Sequence, residues 1–291
     1  MADFIMKKET SSRAAHIVPR TFAGHTLQDF LADKLGVSNR KAKALIDARV
    51  VWVNRQLVWM ALHKLQAGDT VEFPPHEDKK VLLERKHIRI LVEDEFYLFA
   101  DKPAGVLSVG EDSAEEILKT QTANPQLRAV HRLDRDTSGC MLFAKTLAAF
   151  DAAVSVYKSR GVLKIYNAIA MGRMERHTST IAEDLEGERA VTHVTKIAAN
   201  GDISFLKLRI ETGRTHQIRK HLAGIRQPIL GDHEYGMKRA RDPRVMSIAR
   251  QMLHSVEIEM PHPMKPGEKL RAHSPLPADF RRTLKLFDMG R

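Results

Sequence analysis

Cysteine is almost absent: Cys140 stands alone among 291 residues, so no intramolecular disulfide can form, and a reducing compartment is the natural setting. The first residues, MADFIMKKETSSRAAH, carry acids and bases throughout and hold no apolar stretch of signal-peptide length. No uninterrupted apolar run approaches the roughly 20 residues a bilayer crossing requires, so a cytoplasmic protein without a membrane partner is expected. The phosphate-cradling G-x-x-x-x-G-K-[ST] and dinucleotide G-x-G-x-x-G patterns are missing, and with them the usual signals of nucleotide hydrolysis and nicotinamide or flavin chemistry. There is no C-x-x-C and no H-E-x-x-H. Fourteen histidines are present, but His216 and His221 are five apart where a helical ligand pair wants four. No cofactor and no metal are expected, and the histidines read as structural or partner-facing.

What the chain has in excess is positive charge, a formal +11 with a sequence pI of about 9.8. That excess favours a polyanionic partner, because each Lys or Arg that neutralises a phosphate releases a counterion. At 43% hydrophobic and 29% charged residues, the chain is long and apolar enough for a globular core. Monomer is the default assembly state, and no obligate protein partner is evident.

The organisation suggests a polar tail over 1–19, a compact region over 20–73, a charged, proline-bearing linker over 74–86 and a large domain over 87–291. In the compact region, Thr26-Leu-Gln-Asp29 reads as a capping box, and Leu27, Phe30, Leu31 and Leu35 follow at helical spacing to Gly36. A second helix from about Ser38 presents Arg40, Lys41 and Lys43, with Arg40 and Lys43 on one face. A short β run over 50–53, the turn pair Asn54-Arg55 and a second run over 70–73 complete the unit. Beyond the linker, Tyr97–Ala100 and Lys164–Ala170 read as strands and residues 147–159 as a helix. Phe205–Thr212 alternates as a half-buried antiparallel strand should. These elements give an α+β domain with a mixed, mainly antiparallel sheet, not a doubly wound parallel one. The basic run 234–250 reads as a substrate-contacting loop or as plain surface.

Three segments carry chemistry. His131-Arg-Leu-Asp-Arg-Asp-Thr-Ser-Gly139, if extended at its start, sends Arg132 and Asp134 the same way and His131 and Leu133 the other. An ordinary charged turn is the plain alternative. Tyr166 shares a strand face with Ala168 and Ala170, which leaves room for a planar group to stack on its ring; a core tyrosine is the plain alternative. Glu211-Thr-Gly-Arg-Thr-His-Gln-Ile-Arg-Lys-His-Leu222 ends a strand, turns at Gly213, and enters a helix near Thr215 with Ile218 and Leu222 inward. That order leaves Arg214 at the junction, with Arg219 and Lys220 on the helix.

Taken together, HRLDRDTSG with the following MLFAKT, the K-x-Y segment at Lys164–Tyr166, TGRTHQIR, and Pro228–Asp232 resemble the RluA-type RNA pseudouridine synthases. Asp101–Gly105 and Met252–His254 extend the resemblance over roughly 87–285. Residues 20–73 resemble an S4 RNA-binding domain, with Arg40, Lys41 and Lys43 as its RNA contacts. The resemblance implies the pseudouridine synthase fold, no cofactor, and an RNA substrate, with ribosomal RNA favoured over transfer RNA. It implies Asp134 as the essential carboxylate, Tyr166 as the active-site tyrosine, and Arg214 as the basic partner that holds Asp134 ionised. Arg132 corresponds to the arginine that enters the space left by a flipped uridine; His131, Thr137, Ile218 and Arg219 complete the contacts to RNA and flipped base. Whether Asp134 adds to the sugar or removes a sugar proton stays open. A non-catalytic RNA-binding or ribosome-assembly factor, and an RNA N-glycosidase that releases the base, are the competing readings.

Overall fold

The computed structural model describes residues 14–47, 50–58, 60–73, 87–159, 161–236 and 242–289. The chain divides into two units, Met1–Lys86 and His87–Arg291. No helix among the described residues is long and apolar enough to cross a membrane.

In the first unit, helices α1 (Leu27–Leu35) and α2 (Asn39–Asp47) accompany a sheet of β1 (Ala14–Ile17), β2 (Trp52–Val53), β3 (Gln56–Leu57) and β4 (Thr70–Phe73). The sheet order is β1-β4-β2-β3, antiparallel throughout. Thr26 caps α1: its hydroxyl accepts the Asp29 amide at 3.1 Å, and the Asp29 carboxylate accepts the Thr26 amide at 3.2 Å. Asn54 and Arg55 both take positive φ, 51° and 64°, and turn the chain tightly between β2 and β3. Leu27, Phe30, Leu31, Ile46, Val71 and Phe73 form the core. The structure corrects the expected tail at its inner end, because Ala14–Ile17 is an edge strand with Ala14 opposite Phe73 and Ile17 opposite Thr70. Its partner lies far along the chain, and four residues of Ala-Ala-His-Ile carry too little pattern to announce the pairing. The expected linker, 74–86, lies outside the described residues, as do the side chains of Arg40 and Lys41. Lys43 is exposed on α2.

The second unit is built on one large sheet. Its strands are β5 (Arg89–Glu93), β6 (Tyr97–Lys102), β7 (Arg128–Ala129), β8 (Ser138–Ala144), β9 (Leu163–Met171), β10 (Thr178–Ile181), β11 (Thr192–Asn200), β12 (Ile203–Ile210), β13 (Leu253–Pro261) and β14 (Lys269–His273). The order is β10-β11-β12-β9-β13-β8-β6-β5, with β14 added to β13 and β7 to β8. Every pairing is antiparallel except β13 with β8. Helices α3 (Ala114–Gln121), α4 (Leu147–Lys158), α5 (Gln217–Gly224), α6 (Pro243–Met246) and α7 (Ala278–Leu286) complete the expected α+β unit.

Strand β8 is buried along its whole length, and its side chains divide by period two between two cores. Met141 and Phe143 join Leu98, Ala100, Leu206 and Leu222 in one cluster; Cys140, Leu142 and Ala144 join Tyr97, Phe99 and Ala153 of α4 in the other. The sheet is therefore covered on both faces at its centre, and each such Leu or Phe contributes about 1.5–3 kcal/mol on burial. The parallel contact places His254 beside Ser138 and Ser255 beside Gly139. Gly139 has φ of 112°, and a Cβ there would stand 2.2 Å from the Ser255 carbonyl oxygen. Only glycine lets the two strands approach this closely. The junction sits immediately after the HRLDRDT segment and so fixes where that segment ends.

Candidate active site

Asp134 lies on the irregular stretch between β7 and β8, which is pinned from both sides. The Ser108 hydroxyl donates to the Leu133 carbonyl (2.7 Å) and accepts the Leu133 amide (2.9 Å). The Lys102 ammonium, fully buried, donates to the carbonyls of Val106 (2.7 Å), Pro103 (3.0 Å) and Arg135 (3.0 Å). Burial pushes this lysine down to about 7, with nearby charges of both signs as smaller influences. Arg250, likewise buried, grips Asp279 of α7 and donates to the Asp136 carbonyl at 3.1 Å. These ties hold the Asp134 backbone before any substrate arrives.

The carboxylate is half-buried, 26% exposed, at the wall of an open pocket. Arg132, Tyr166, Ile210, Arg214 and Ile218 contribute to the same pocket. Tyr166 is buried, and burial pushes its phenol well up, so it stands as a neutral ring and hydroxyl. Ile218, Leu133 and Leu253 supply apolar wall. Arg132 is exposed at the rim.

The expected ion pair is corrected. Arg219, not Arg214, meets Asp134: its Nη1 donates to Oδ2 at 3.2 Å. The same guanidinium forks onto Asp232, Nε to Oδ2 at 2.7 Å and Nη2 to Oδ1 at 3.0 Å, and Nη2 also reaches Glu234 at 3.0 Å. Burial alone would push Asp232 up, but the Arg219 fork and the backbone amides of Tyr235 and Glu234 hold it below its ordinary value. Arg214 instead pairs with Glu188 and donates Nε to the Arg189 carbonyl at 3.4 Å.

The reason is the turn. The left-handed residue of TGRTHQ is His216, with φ of 55° and ψ of 25°, and α5 starts at Gln217 instead of near Thr215. Gln217 locks the arrangement from inside: its amide oxygen accepts from Thr212 Oγ1 (2.7 Å) and the Arg214 amide (3.1 Å), while its NH2 donates to the Val191 carbonyl (2.9 Å). This rotation faces Arg214 toward the rim and Arg219, in the first turn of the helix, toward Asp134.

Two further expectations are revised. His131 does not face the pocket; its Nε2 accepts the Leu142 amide at 3.1 Å and its ring stacks on Tyr157 with centroids 5.3 Å apart. Thr137 lines the pocket but is buried, accepting from the Gln251 amide at 2.7 Å, and the same Gln251 nitrogen stands 3.4 Å from Asp134 Oδ2. Gln251, Asp232 and Lys102 escaped the residue-level reading. All three lie inside or beside segments of the family resemblance, Met252–His254, Pro228–Asp232 and Asp101–Gly105, and that was their only signal.

Asp134, held by Arg219, shares an open pocket with Arg132 and Arg214, an arrangement suited to an enzyme acting on a polyanion. Residues 96–224 match the family model described as RNA pseudouridylate synthase. A ribosomal large subunit pseudouridine synthase D of Pasteurella multocida is 33% identical, covering 88% of this chain and 89% of that protein. An uncharacterized RNA pseudouridine synthase of Bacillus subtilis, YjbO, is 36% identical, covering 76% of this chain and 85% of that one. Among solved structures, human RNA pseudouridylate synthase domain containing 1 superposes with a TM-score of 0.57 at 25% identity, covering 65% of this chain and 84% of that one. The chain belongs to the RNA pseudouridylate synthase family: it is an isomerase that acts on RNA.

Proposed function

We propose that the protein converts specific uridines of large-subunit ribosomal RNA to pseudouridine, with Asp134 acting on the sugar of the flipped nucleotide. In this isomerisation the C1′–N1 bond breaks, a C1′–C5 bond forms, C5 gives up its proton and N1 gains one. Atoms balance without an external reactant, so no cofactor need be invoked. The observation that carries the assignment is the mounting of Asp134: Oδ2 is tied by Arg219 at 3.2 Å with Gln251 at 3.4 Å, in a pocket it shares with Tyr166. Arg219 fixes the carboxylate in the pocket, and either role on the sugar requires a fixed carboxylate.

Tyr166 offers its ring to the uracil, and Ile218 and Leu253 keep water from a detached sugar. Arg132, exposed beside Asp134, enters the space the base leaves, and Arg214 exchanges Glu188 for an RNA phosphate. Unstacking the target costs a few kcal/mol, offset by stacking and phosphate contacts. Ribosomal RNA is favoured over transfer RNA because the Pasteurella relative aligned over 88% of this chain bears a large-subunit name. Action on that RNA puts the protein in the cytoplasm. The first unit is read as an S4-like RNA-binding domain, with Lys43 and its neighbours Arg40 and Lys41 on α2 as the contacts.

The test is tritium release from 5-tritiated uridine in purified ribosomal and transfer RNA. Wild-type protein is expected to release tritium from large-subunit RNA and Asp134→Asn to release none. Free uracil without tritium release would instead establish an N-glycosidase, and release from transfer RNA alone would reverse the substrate assignment.

A further inference from the structure

The two oxygens of Asp134 are not equivalent. Oδ2 faces Arg219 at 3.2 Å and Gln251 at 3.4 Å. Oδ1 has His216 Nε2 at 3.7 Å, beyond hydrogen-bond length. We propose that Oδ1 is the reacting oxygen of Asp134 and that His216 is the positioning residue beside it, presenting an Nε2–H held in place by Tyr235. The proposal rests on the reading of Asp134 given above.

The backbone conformation of His216 carries the first part. A left-handed φ is uncommon and strained for a residue with a Cβ, so the fold must over-determine it. Here it is closed by the turn after Asp232. The Glu234 and Tyr235 amides donate to Asp232 Oδ1 at 3.0 and 3.1 Å, and Tyr235 thereby meets two neighbours of Asp134, His216 and Arg219. Its hydroxyl lies 3.0 Å from His216 Nδ1, its ring packs at 72° to the imidazole, and the Arg219 guanidinium sits 4.9 Å from its centroid. Thus one turn braces the groups at both oxygens.

Which ring nitrogen carries hydrogen follows from what each one faces. Nδ1 faces the Tyr235 hydroxyl and, at 3.5 Å, the Glu234 carboxylate; Nε2 faces the Asp134 carboxylate. If Tyr235 donates to Nδ1, the neutral ring carries its hydrogen on Nε2. If the ring is an imidazolium, Nδ1 donates toward Tyr235 and Glu234 and Nε2–H again points at Asp134. The Nδ1–H tautomer, which goes with Tyr235 donating to Glu234 instead, would aim a bare Nε2 lone pair at the Asp134 carboxylate, so Asp134 favours the arrangements with a hydrogen on Nε2. At 3.7 Å that N–H turns its positive edge toward Oδ1 without occupying its lone pairs, which leaves Oδ1 open to the sugar while Arg219 and Gln251 engage Oδ2.

Nitrogen-15 spectra of histidine-labelled protein read the tautomer directly, and single-turnover kinetics read its consequence. Wild type is expected to show His216 with a protonated Nε2, and Tyr235→Phe, which keeps the ring on Arg219, to show mixed tautomers. His216→Asn keeps a residue that tolerates the left-handed turn but lacks the reach of Nε2; it is expected to lower the rate constant about tenfold or more, with the RNA concentration for half-maximal rate within about twofold. A bare Nε2 in the wild-type spectrum, or an unchanged rate in His216→Asn, would overturn the proposal. Asp134→Asn measured alongside separates the two claims: its inactivity with an unaffected His216→Asn removes only the role of His216, whereas full turnover in Asp134→Asn removes the reading beneath it.

Discussion

The guanidinium of Arg219 is shared among a carboxylate with no exposed side-chain surface, Asp232, the half-buried one of Asp134 and the exposed one of Glu234. Removing it leaves Asp232 charged and unpaired in the interior, so Arg219→Ala is expected to cost about 3–5 kcal/mol of stability besides abolishing turnover. Arg219→Lys keeps a charge but cannot reproduce the fork, and should fall between the two in urea melts. At His131 the argument concerns pH. Burial, with the Lys164 ammonium second, pushes its imidazole down to about 4, and burial does the same to His254. Protonated His131 would set an N–H against the Leu142 amide that its Nε2 now accepts. In the unfolded chain both rings titrate near about 6.5. Between there and about 4 the unfolded chain therefore binds protons that the folded one refuses, so stability falls as pH drops through that window and levels off below it. The urea midpoint should decline from about pH 7 to about pH 5, and less steeply in His131→Gln, whose amide oxygen accepts Leu142 without titrating. An unchanged midpoint in wild type would contradict the buried neutral state.

At the scale of elements, the parallel seam between β8 and β13 and the turn into α5 decide where the active-site segments lie. Gly139→Ala would drive a methyl to 2.2 Å from the Ser255 carbonyl, and both strands are buried there. A loss of about 3 kcal/mol or more is expected in equilibrium unfolding. Gly213→Ala makes the contrast, since a Cβ there meets only the flexible end of Lys164 at 3.9 Å and should cost less than about 1 kcal/mol. The turn also shows where the sequence was legible and where it was not. The capping box at Thr26, the alternation of β12 and the helix after Thr146 are local patterns, visible because their causes lie within a few residues. The sequence predicts a sharp turn at Gly213 and marks no left-handed residue in TGRTHQ. The structure puts one at His216, because Tyr235 and the Gln217 network hold it there from distant parts of the chain. That turn exchanged the expected partner of Asp134, Arg214, for Arg219. Gln251 reaches Thr137 and Asp134 across more than a hundred residues, a pairing that no local period encodes.

For the whole molecule, a formal charge of +11 on an enzyme acting on RNA makes affinity a function of salt. If α2 of the first unit meets phosphate, Lys43→Glu should weaken RNA binding and reduce the slope of log affinity against log salt by about 1. An unchanged slope would take Lys43 out of the interface. The family was legible in the sequence because HRLDRDTSG is contiguous, whereas the mounting of its aspartate was not, being assembled from α5, the turn after Asp232 and the segment before β13. The central claim, that this chain makes pseudouridine through Asp134, is tested most directly by chemical-adduct mapping of pseudouridine in total RNA. The comparison is among cells carrying wild-type protein, Asp134→Ala protein or none, repeated with purified protein on unmodified RNA. A site in large-subunit ribosomal RNA present only with wild type is the predicted result; identical maps in all three cells, together with no product from the purified protein, would contradict it.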